Sequence, residues 1–152
     1  DRSGLAKFVI DRKWSGMSRL AGSGAADEGT ADFTVVPMLT LQQIMGSAAA
    51  GALLLVKIDV EGAERSVLAG LGGVLDQLHS FAALTEVLHL CDDDVSAILQ
   101  GFDVYFYAVA DETFVPVIPP ELTRFKELRA DPRHYWNDVV VRRRGDPPIG
   151  TP

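Results

Sequence analysis

Acidic residues follow two apolar stretches of the sequence, and their position is suited to chemistry on a bound ligand. Asp59 comes directly after the aliphatic run at 53–58, and Glu86 lies near the end of the next apolar stretch, at 81–88. Three further ionisable residues follow these two closely in the sequence: Glu61, Glu64 and His89. Carboxylates and an imidazole beside a crevice can hold a cation, orient a hydroxyl group or accept its proton. The spacing alone leaves these three roles open.

Some of these residues also have ordinary structural explanations. Glu64 lies near the start of a predicted helix, where a negative charge suits the positive end of the helix dipole. Lys57 alternates with Asp59 along one strand face and can pair with a carboxylate there. Trp14 is an aromatic candidate for the lining of a ligand pocket, with packing in the core or in a lid as its structural alternative. Both explanations of each residue stay open at this point.

The elements that would position these side chains alternate between strand and helix from residue 53 onwards. The run 53–58 is nearly continuous aliphatic sequence, which is the pattern of a parallel strand buried on both faces. Apolar residues at helical spacing predict a helix over 63–78, and a group of glycines near residue 70 weakens it. Further elements are predicted, in the order strand, helix, strand, hairpin strand, helix and strand, at 81–88, 92–100, 102–109, 114–117, 121–129 and 137–143.

This alternation predicts an α/β fold with a mostly parallel sheet and helices on both faces. In open sheets of this kind, ligands bind outside the carboxyl ends of the strands. Neighbouring strands lie about 5 Å apart. We therefore expect Asp59 and Glu86 to converge on one pocket at the carboxyl edge of the sheet.

The segment before residue 53 predicts a smaller set of elements. Strands are predicted at 5–11 and 33–38, and Pro37 places the second of them at an edge or an end because proline cannot donate to a ladder. Thr40 is predicted to be the N-cap of a short helix at 41–46.

The composition is that of one globular domain and excludes several partner classes. The chain has 152 residues, of which 47% are hydrophobic, and a net charge of −7, which argues against nucleic acid or anionic membrane as a partner. The longest apolar run, at 48–56, is short of the ~20 residues of a membrane span. The single cysteine, Cys91, rules out an internal disulfide and favours a reducing compartment, so we expect a cytoplasmic protein.

Other candidate chemistries find weaker support in the sequence. His89, Cys91 and Asp92 lie close together, but no second cluster of Cys or His completes a zinc site, so no metal ligand is predicted. His79 and His134 stand apart from acids and cysteine at ligand spacing, which favours surface positions for both. Neither a glycine-rich dinucleotide turn nor a phosphate-binding loop follows a predicted strand.

The segment VKIDVEGAE at 56–64, followed by VLAG at 67–70, resembles the central signature of the FkbM-type S-adenosylmethionine-dependent methyltransferases. Gln42 stands where the family usually has Asp, after the segment LTL. Other segments are similar to pieces of the family and occur in its order: SG and the strand to Ile10 at 3–10, SGMS at 15–18, LTL at 39–41, TEV at 85–87 and NDVVV at 137–141. The resemblance extends over nearly the whole chain.

The resemblance implies a Rossmann-like methyltransferase fold, S-adenosylmethionine as cofactor, and methyl transfer to a hydroxyl oxygen of a small-molecule or glycan acceptor such as a sugar or natural product. By position, Asp59 would face the methyl-transfer crevice and the cofactor. Glu61 and Glu86 would line the acceptor side, and the three acids are the catalytic candidates. Three further residues are candidates for contact with the substrate: Glu64, His89 and Trp14.

The resemblance also implies that the chain is truncated at its N-terminus. The glycine-rich turn and the acidic residue with which the family's first two strands hold the cofactor have no counterpart here. We expect a partial methyltransferase domain at 1–144, with its core from residue 53, and a tail at 145–152. We expect that this chain alone does not bind S-adenosylmethionine appreciably, and that the unpaired apolar flank of 53–59 promotes self-association.

Two other classes of function remain as alternatives. One is a catalytically inactive α/β binding module that keeps only the fold. The other is a metal-dependent α/β hydrolase that uses the paired carboxylates. A glycine turn after a strand just upstream of Asp1 would favour the methyltransferase, and the absence of such a turn would favour the inactive module. Mg²⁺-dependent activity without S-adenosylmethionine would favour the hydrolase.

Overall fold

Three strands near the N-terminus form a small antiparallel sheet of their own. The computed structural model describes residues 3–12, 18–21 and 32–147 of the chain. β1 (Gly4–Ile10) pairs with β2 (Arg19–Leu20) on one side and with β3 (Asp32–Met38) on the other. Pro37 lies in β3, which has one partner within the described residues, as predicted for a strand that contains proline.

A short helix, α1 (Leu41–Met45), begins where the sequence predicts it. The Thr40 hydroxyl accepts a hydrogen bond from the Gln43 amide at 3.2 Å, and the Gln43 side chain accepts one from the Thr40 amide at 3.0 Å. This reciprocal arrangement satisfies two amides that have no partner within the helix. The predicted N-cap is confirmed, and a 3₁₀ turn at Gly46–Ala49 leads on to the main sheet.

Five strands form the main sheet, and its four strand pairings differ in direction. The strands, in chain order, are β4 (Leu53–Ile58), β5 (Ser80–Glu86), β6 (Phe102–Ala108), β7 (Thr113–Pro116) and β8 (Asp138–Arg143). They lie in the order β4-β5-β8-β6-β7. β4 and β5 pair in parallel, whereas β5 with β8, β8 with β6, and β6 with β7 pair antiparallel.

The prediction of a mostly parallel sheet is therefore wrong, although the fold is α/β. β4, β5 and β6 run in one direction, but β8 runs against them and inserts between β5 and β6. An apolar run shows that a strand is buried and carries no information about its direction, which is why the pattern of β8 could not reveal this insertion.

The helices lie on one face of the main sheet. Besides α1 they are α2 (Glu64–Ala69), a 3₁₀ helix (Gly72–Gln77), α3 (Asp92–Gly101) and α4 (Leu122–Ala130). α2 contacts α3, and α3 contacts α4. Helices on both faces were predicted, and within the described residues this is wrong. No helix in this part of the chain is both long and apolar enough to cross a membrane.

The core lies between these helices and the sheet. Alternate residues of the central strands face it, and so do the apolar faces of the helices. The members with the lowest exposure include Phe81, Ala83, Phe106, Val139 and Val141 from the strands and Leu68, Leu71 and Leu99 from the helical segments. The helix predicted over 63–78 is interrupted at the glycines expected to weaken it, because α2 ends at Ala69 and the 3₁₀ helix starts at Gly72.

The opposite face of the sheet is open and apolar. Leu53 and Leu55 are 75% and 80% exposed, so β4 is buried on one face and not on both as predicted. β4 also forms an end of the sheet, which confirms the predicted unpaired flank within the described residues. A groove of about 300 Å³ on the open face is lined by Leu84, Tyr107, Phe114, Tyr135, Asp138 and Val140.

Asp146 fastens the end of β8 to the start of β5, although the sequence analysis assigned it to the tail. Its carboxylate, 3% exposed, accepts hydrogen bonds from the Ser80 hydroxyl and the Phe81 amide at 3.2 and 3.1 Å. Arg143 donates to the same carboxylate at 2.8 Å. The Arg143 guanidinium also donates to three carbonyl oxygens just before β5: those of Leu75, Leu78 and His79.

We predict that Asp146→Asn lowers the free energy of unfolding by about 3 kcal/mol at pH 7, because it leaves the half-buried Arg143 without its counter-charge. Burial alone would raise the pKa of Asp146, but the bonds from Phe81, Arg143 and Ser80 outweigh it and hold the pKa below the ordinary 3.8. The carboxylate's contribution is therefore complete above about pH 4 and is lost as the pH falls through the lowered pKa.

Denaturant titrations from pH 7 to pH 2.5 would measure both effects. The variant should be less stable at pH 7 and should lose less further stability in acid than the unmodified chain. Asp76→Asn, at an exposed position, serves as the control and should change neither quantity. Equal stability of Asp146→Asn and the unmodified chain would contradict this assignment.

We also predict that Leu55→Glu reduces self-association of the chain, because it places a charge on the apolar face beside the unpaired edge of β4. Light scattering after size-exclusion chromatography at rising concentration would measure the mass. Gln42→Glu on α1, which adds the same charge at an exposed site elsewhere, should associate as the unmodified chain does. A monomeric unmodified chain at high concentration would refute the prediction.

Candidate functional site

Three strands of the main sheet bring acidic residues to one edge. β4 and β5 pair with Ile58 opposite Thr85, so the next residues of each chain segment, Asp59 and Glu86, lie side by side. β8 runs the other way and begins at this edge, with Asp138 opposite Glu86. The expected meeting of Asp59 and Glu86 at one edge is confirmed, and the antiparallel β8 adds a third carboxylate.

The loop after β4 carries Glu61 in an unusual backbone conformation. Glu61 has a φ of 52° and Gly62 a φ of 94°, both in the left-handed region. Glycine adopts this region freely, whereas Glu61 does so at a cost of about 1 kcal/mol or more. The loop can hold such a residue only where other interactions fix the backbone.

Glu64 provides that interaction. One of its carboxylate oxygens accepts hydrogen bonds from the amides of Val60 and Gly62, at 3.1 and 3.3 Å, and so closes the loop beneath Glu61. Its side chain is 1% exposed, so a substrate cannot reach it in this conformation. Glu64 was a candidate for substrate contact, and the structure instead gives it the position of a residue that orients the loop.

Glu61, Glu86 and His89 form a cluster at the mouth of the site. The His89 Nε2 atom lies 3.1 Å from a carboxylate oxygen of Glu61, whose side chain is 21% exposed. One ligand-type atom of each of the three residues lies within 4.8 Å of those of the other two. The structure thus groups Glu61 from the loop after β4 with Glu86 from the end of β5 and with His89, three residues after Glu86.

Glu86 is an acid with a perturbed pKa in this group. Its pKa is raised, first by burial and then by the negative charges of Asp59, Glu61 and Asp138, while His89 opposes the shift. One of its carboxylate oxygens is buried and has no hydrogen-bond partner. A carboxylate in this situation lacks the donor or cation that normally accompanies it.

Lys57 contacts the carboxylates of Asp138 and Asp59. Its Nζ atom lies 3.0 Å from an oxygen of Asp138 and 3.6 Å from one of Asp59. Burial lowers the pKa of Lys57, but its hydrogen bond to Asp138 and the two nearby charges outweigh burial and raise it overall. The suggestion that Lys57 pairs with a carboxylate is confirmed. Asp138 was missed as a site residue, because only the direction of β8 brings it to this edge.

The remaining predicted residues fall outside this group. Trp14, a candidate for substrate contact, lies outside the described residues. His134 was assigned to the surface, and this is wrong: it is 7% exposed, its Nδ1 lies 2.8 Å from the Leu128 carbonyl oxygen, and its ring packs near Phe106. His79 is exposed, as expected.

The charges of the site leave it negative. Among the described residues, four carboxylates lie around it, and the basic groups that contact them are the ammonium of Lys57 and the imidazole of His89. The site can therefore attract a cationic ligand and accept hydrogen bonds from hydroxyl groups. The carboxylates involved are those of Asp59, Glu61, Glu86 and Asp138.

Comparison with known proteins gives one match. The family model described as the methyltransferase FkbM domain matches residues 3–103, which is 101 of the 152 residues and includes both Asp59 and Glu86. No curated protein and no solved structure matches the chain significantly. The match confirms the resemblance stated from the signature at 56–64. The chain belongs to the FkbM methyltransferase domain family, and this membership supports methyltransferase activity.

Proposed function

We propose that the protein transfers the methyl group of S-adenosylmethionine to a hydroxyl oxygen of a small-molecule acceptor, such as a sugar or natural product. Membership of the FkbM family supports methyl transfer as the reaction. The observation that carries the finer proposal is the grouping of Asp59, Glu61 and Glu86 at one edge of the sheet. Carboxylates suit a hydroxyl acceptor, since they accept its hydrogen bond and then its proton.

The charge of the site fits the methyl donor. S-adenosylmethionine, when bound, supplies an electrophilic methyl carbon attached to a positively charged sulfur. The site has more carboxylates than basic groups, and Asp59 is 49% exposed at its side chain, beside the end of β4. A negative charge in that position favours a cationic donor. Asp59 is the residue we assign to the donor side.

The acceptor side belongs to Glu61 and Glu86. One carboxylate oxygen of Glu61 and one of Glu86 lie within 4.8 Å of each other, close enough to accept hydrogen bonds from one small polar group. Such contacts fix the direction of the acceptor oxygen, and positioning of this kind supplies much of the rate of a group transfer. Glu64 holds the loop that carries Glu61 and acts through it.

The proton of the hydroxyl must leave as the new bond forms. The acceptor oxygen bonds to the methyl carbon while the carbon–sulfur bond breaks, and its electron pair stays on sulfur. We assign the proton to Asp59, because this exposed carboxylate can return it to water. The Lys57 Nζ atom lies 3.6 Å from a carboxylate oxygen of Asp59 and can orient that carboxylate toward the acceptor.

The test uses the purified gene product that carries this sequence, S-adenosylmethionine with a labelled methyl group, and a panel of hydroxylated acceptors. We expect label on an oxygen of one acceptor, identified by mass spectrometry and NMR. Asp59→Asn should lower kcat by roughly 100-fold or more, since general-base catalysis contributes about 10²–10⁴. Glu86→Gln should lower kcat/KM by removing an oriented acceptor contact.

Matched controls are available at exposed positions of the same chain. Asp76→Asn and Glu121→Gln make the same chemical changes away from the site and should leave the rate unchanged. Label on a nitrogen or carbon atom would contradict the hydroxyl acceptor. An Asp59→Asn variant as active as Asp76→Asn would contradict the role of Asp59.

A further inference from the structure

We propose that Glu61, Glu86 and His89 bind a divalent transition-metal ion, such as Zn²⁺ or Mn²⁺. No metal ligand was predicted from the sequence, because no second cluster of Cys or His accompanies His89. The structure brings them together at the carboxyl edge of β4 and β5. The binding of the ion stands independently of methyl transfer, whereas the role given to the ion below rests on the proposed function.

The distances between the three side chains suit one ion. Carboxylate oxygens and imidazole nitrogens bind Zn²⁺ at about 2.0–2.2 Å, so neighbouring ligand atoms lie roughly 3.0–3.5 Å apart. The Glu61 oxygen and the His89 Nε2 atom are 3.1 Å apart, which matches this separation. The third atom, from Glu86, lies within 4.8 Å of both, so modest rotation of its side chain completes the set.

An independent observation points to a missing cation. The 3.1 Å contact between Glu61 and His89 gives each of those side chains a partner, but one Glu86 oxygen remains buried with no hydrogen-bond partner. Lys57, on the neighbouring strand β4, is bonded to Asp138 and lies beside Asp59. A buried carboxylate oxygen with neither donor nor cation is costly. The second oxygen of Glu64 is buried without a partner as well, but Glu86 belongs to the cluster of ligand-type atoms, where a bound metal ion would satisfy its carboxylate.

The donor set indicates the class of metal. Two carboxylates and one imidazole suit Zn²⁺, Mn²⁺ and related ions, whereas Mg²⁺ and Ca²⁺ favour oxygen ligands throughout. Three protein ligands leave at least one coordination position open, as in catalytic metal sites. The loop that carries Glu61 is fixed by the buried carboxylate of Glu64, so one of the ligands is held in place before the ion arrives.

The open position gives the ion a role that rests on the proposed function. An acceptor hydroxyl oxygen bound there would be oriented by the ion and would lose its proton more readily. Asp59, which is not among the three ligands, would remain available to receive that proton. The ion would thus select acceptors that present a hydroxyl group able to coordinate a metal.

Isothermal titration calorimetry of the untagged chain with ZnCl₂, and separately with MnCl₂, tests the binding. We expect one ion per chain. Glu86→Gln and His89→Gln should each weaken binding at least about 10-fold, since even residues that merely support metal ligands contribute 10–100-fold. Glu121→Gln and His79→Gln, at exposed positions, remove the same groups elsewhere and should bind as the unmodified chain does.

Two outcomes would overturn the proposal: no saturable binding of either ion up to about 1 mM, or unchanged binding by His89→Gln. The His89 side chain is 37% exposed, so His89→Gln is expected to fold even if Glu86→Gln does not. Circular dichroism would verify the fold of each variant. Binding without methyl transfer would refute the proposed function alone. Methyl transfer without binding would refute the metal site alone.

Discussion

The buried carboxylate of Glu64 is the interaction on which the candidate site depends. It accepts hydrogen bonds from the amides of Val60 and Gly62, and these bonds keep the loop after β4 in its left-handed turn. Glu61 adopts a positive φ there, which costs free energy that the closed loop must offset. Without this closure, Glu61 would not point toward Glu86 and His89, and the loop would relax to an ordinary extended path.

A second constraint is the concentration of negative charge at the same edge. Asp59, Glu86 and Asp138 are brought together by the backbone register of β4, β5 and β8, and their mutual repulsion raises the pKa of Glu86 together with its burial. Lys57 offsets the charge of two of them. Such unrelieved repulsion is typical of sites that bind a ligand, because the ligand supplies the compensating interaction.

The sequence predicts most of the elements and part of the site. The periodicity of apolar residues and the residue types within each segment locate β4, β5 and the helices. They also place Asp59 and Glu86 at strand ends. The direction of β8 cannot be predicted in this way, because an apolar strand has the same pattern in either direction. Asp138 was therefore missed. His134 was assigned to the surface for a similar reason, since its ring packs near Phe106 of β6 and its Nδ1 atom contacts the Leu128 carbonyl oxygen.

Contacts between separate segments also explain why the Glu61, Glu86 and His89 cluster was not predicted as a unit. Each residue was a candidate alone, but their distances depend on the loop that Glu64 closes and on the pairing of β4 with β5. Local patterns describe one segment at a time, whereas the cluster is a property of the register between segments. The open face of the sheet, with Leu53 and Leu55 exposed, is likewise a property of the assembled layers.

The central claim is that methyl transfer takes place at the edge formed by Asp59, Glu61 and Glu86. A crystal structure of the gene product that carries this sequence, bound to S-adenosylhomocysteine and a hydroxylated acceptor, tests it most directly. We expect the sulfur atom to face Asp59 and the acceptor oxygen to lie at the Glu61 and Glu86 side of the same crevice. Sulfur and acceptor bound together at another edge of the sheet would contradict it.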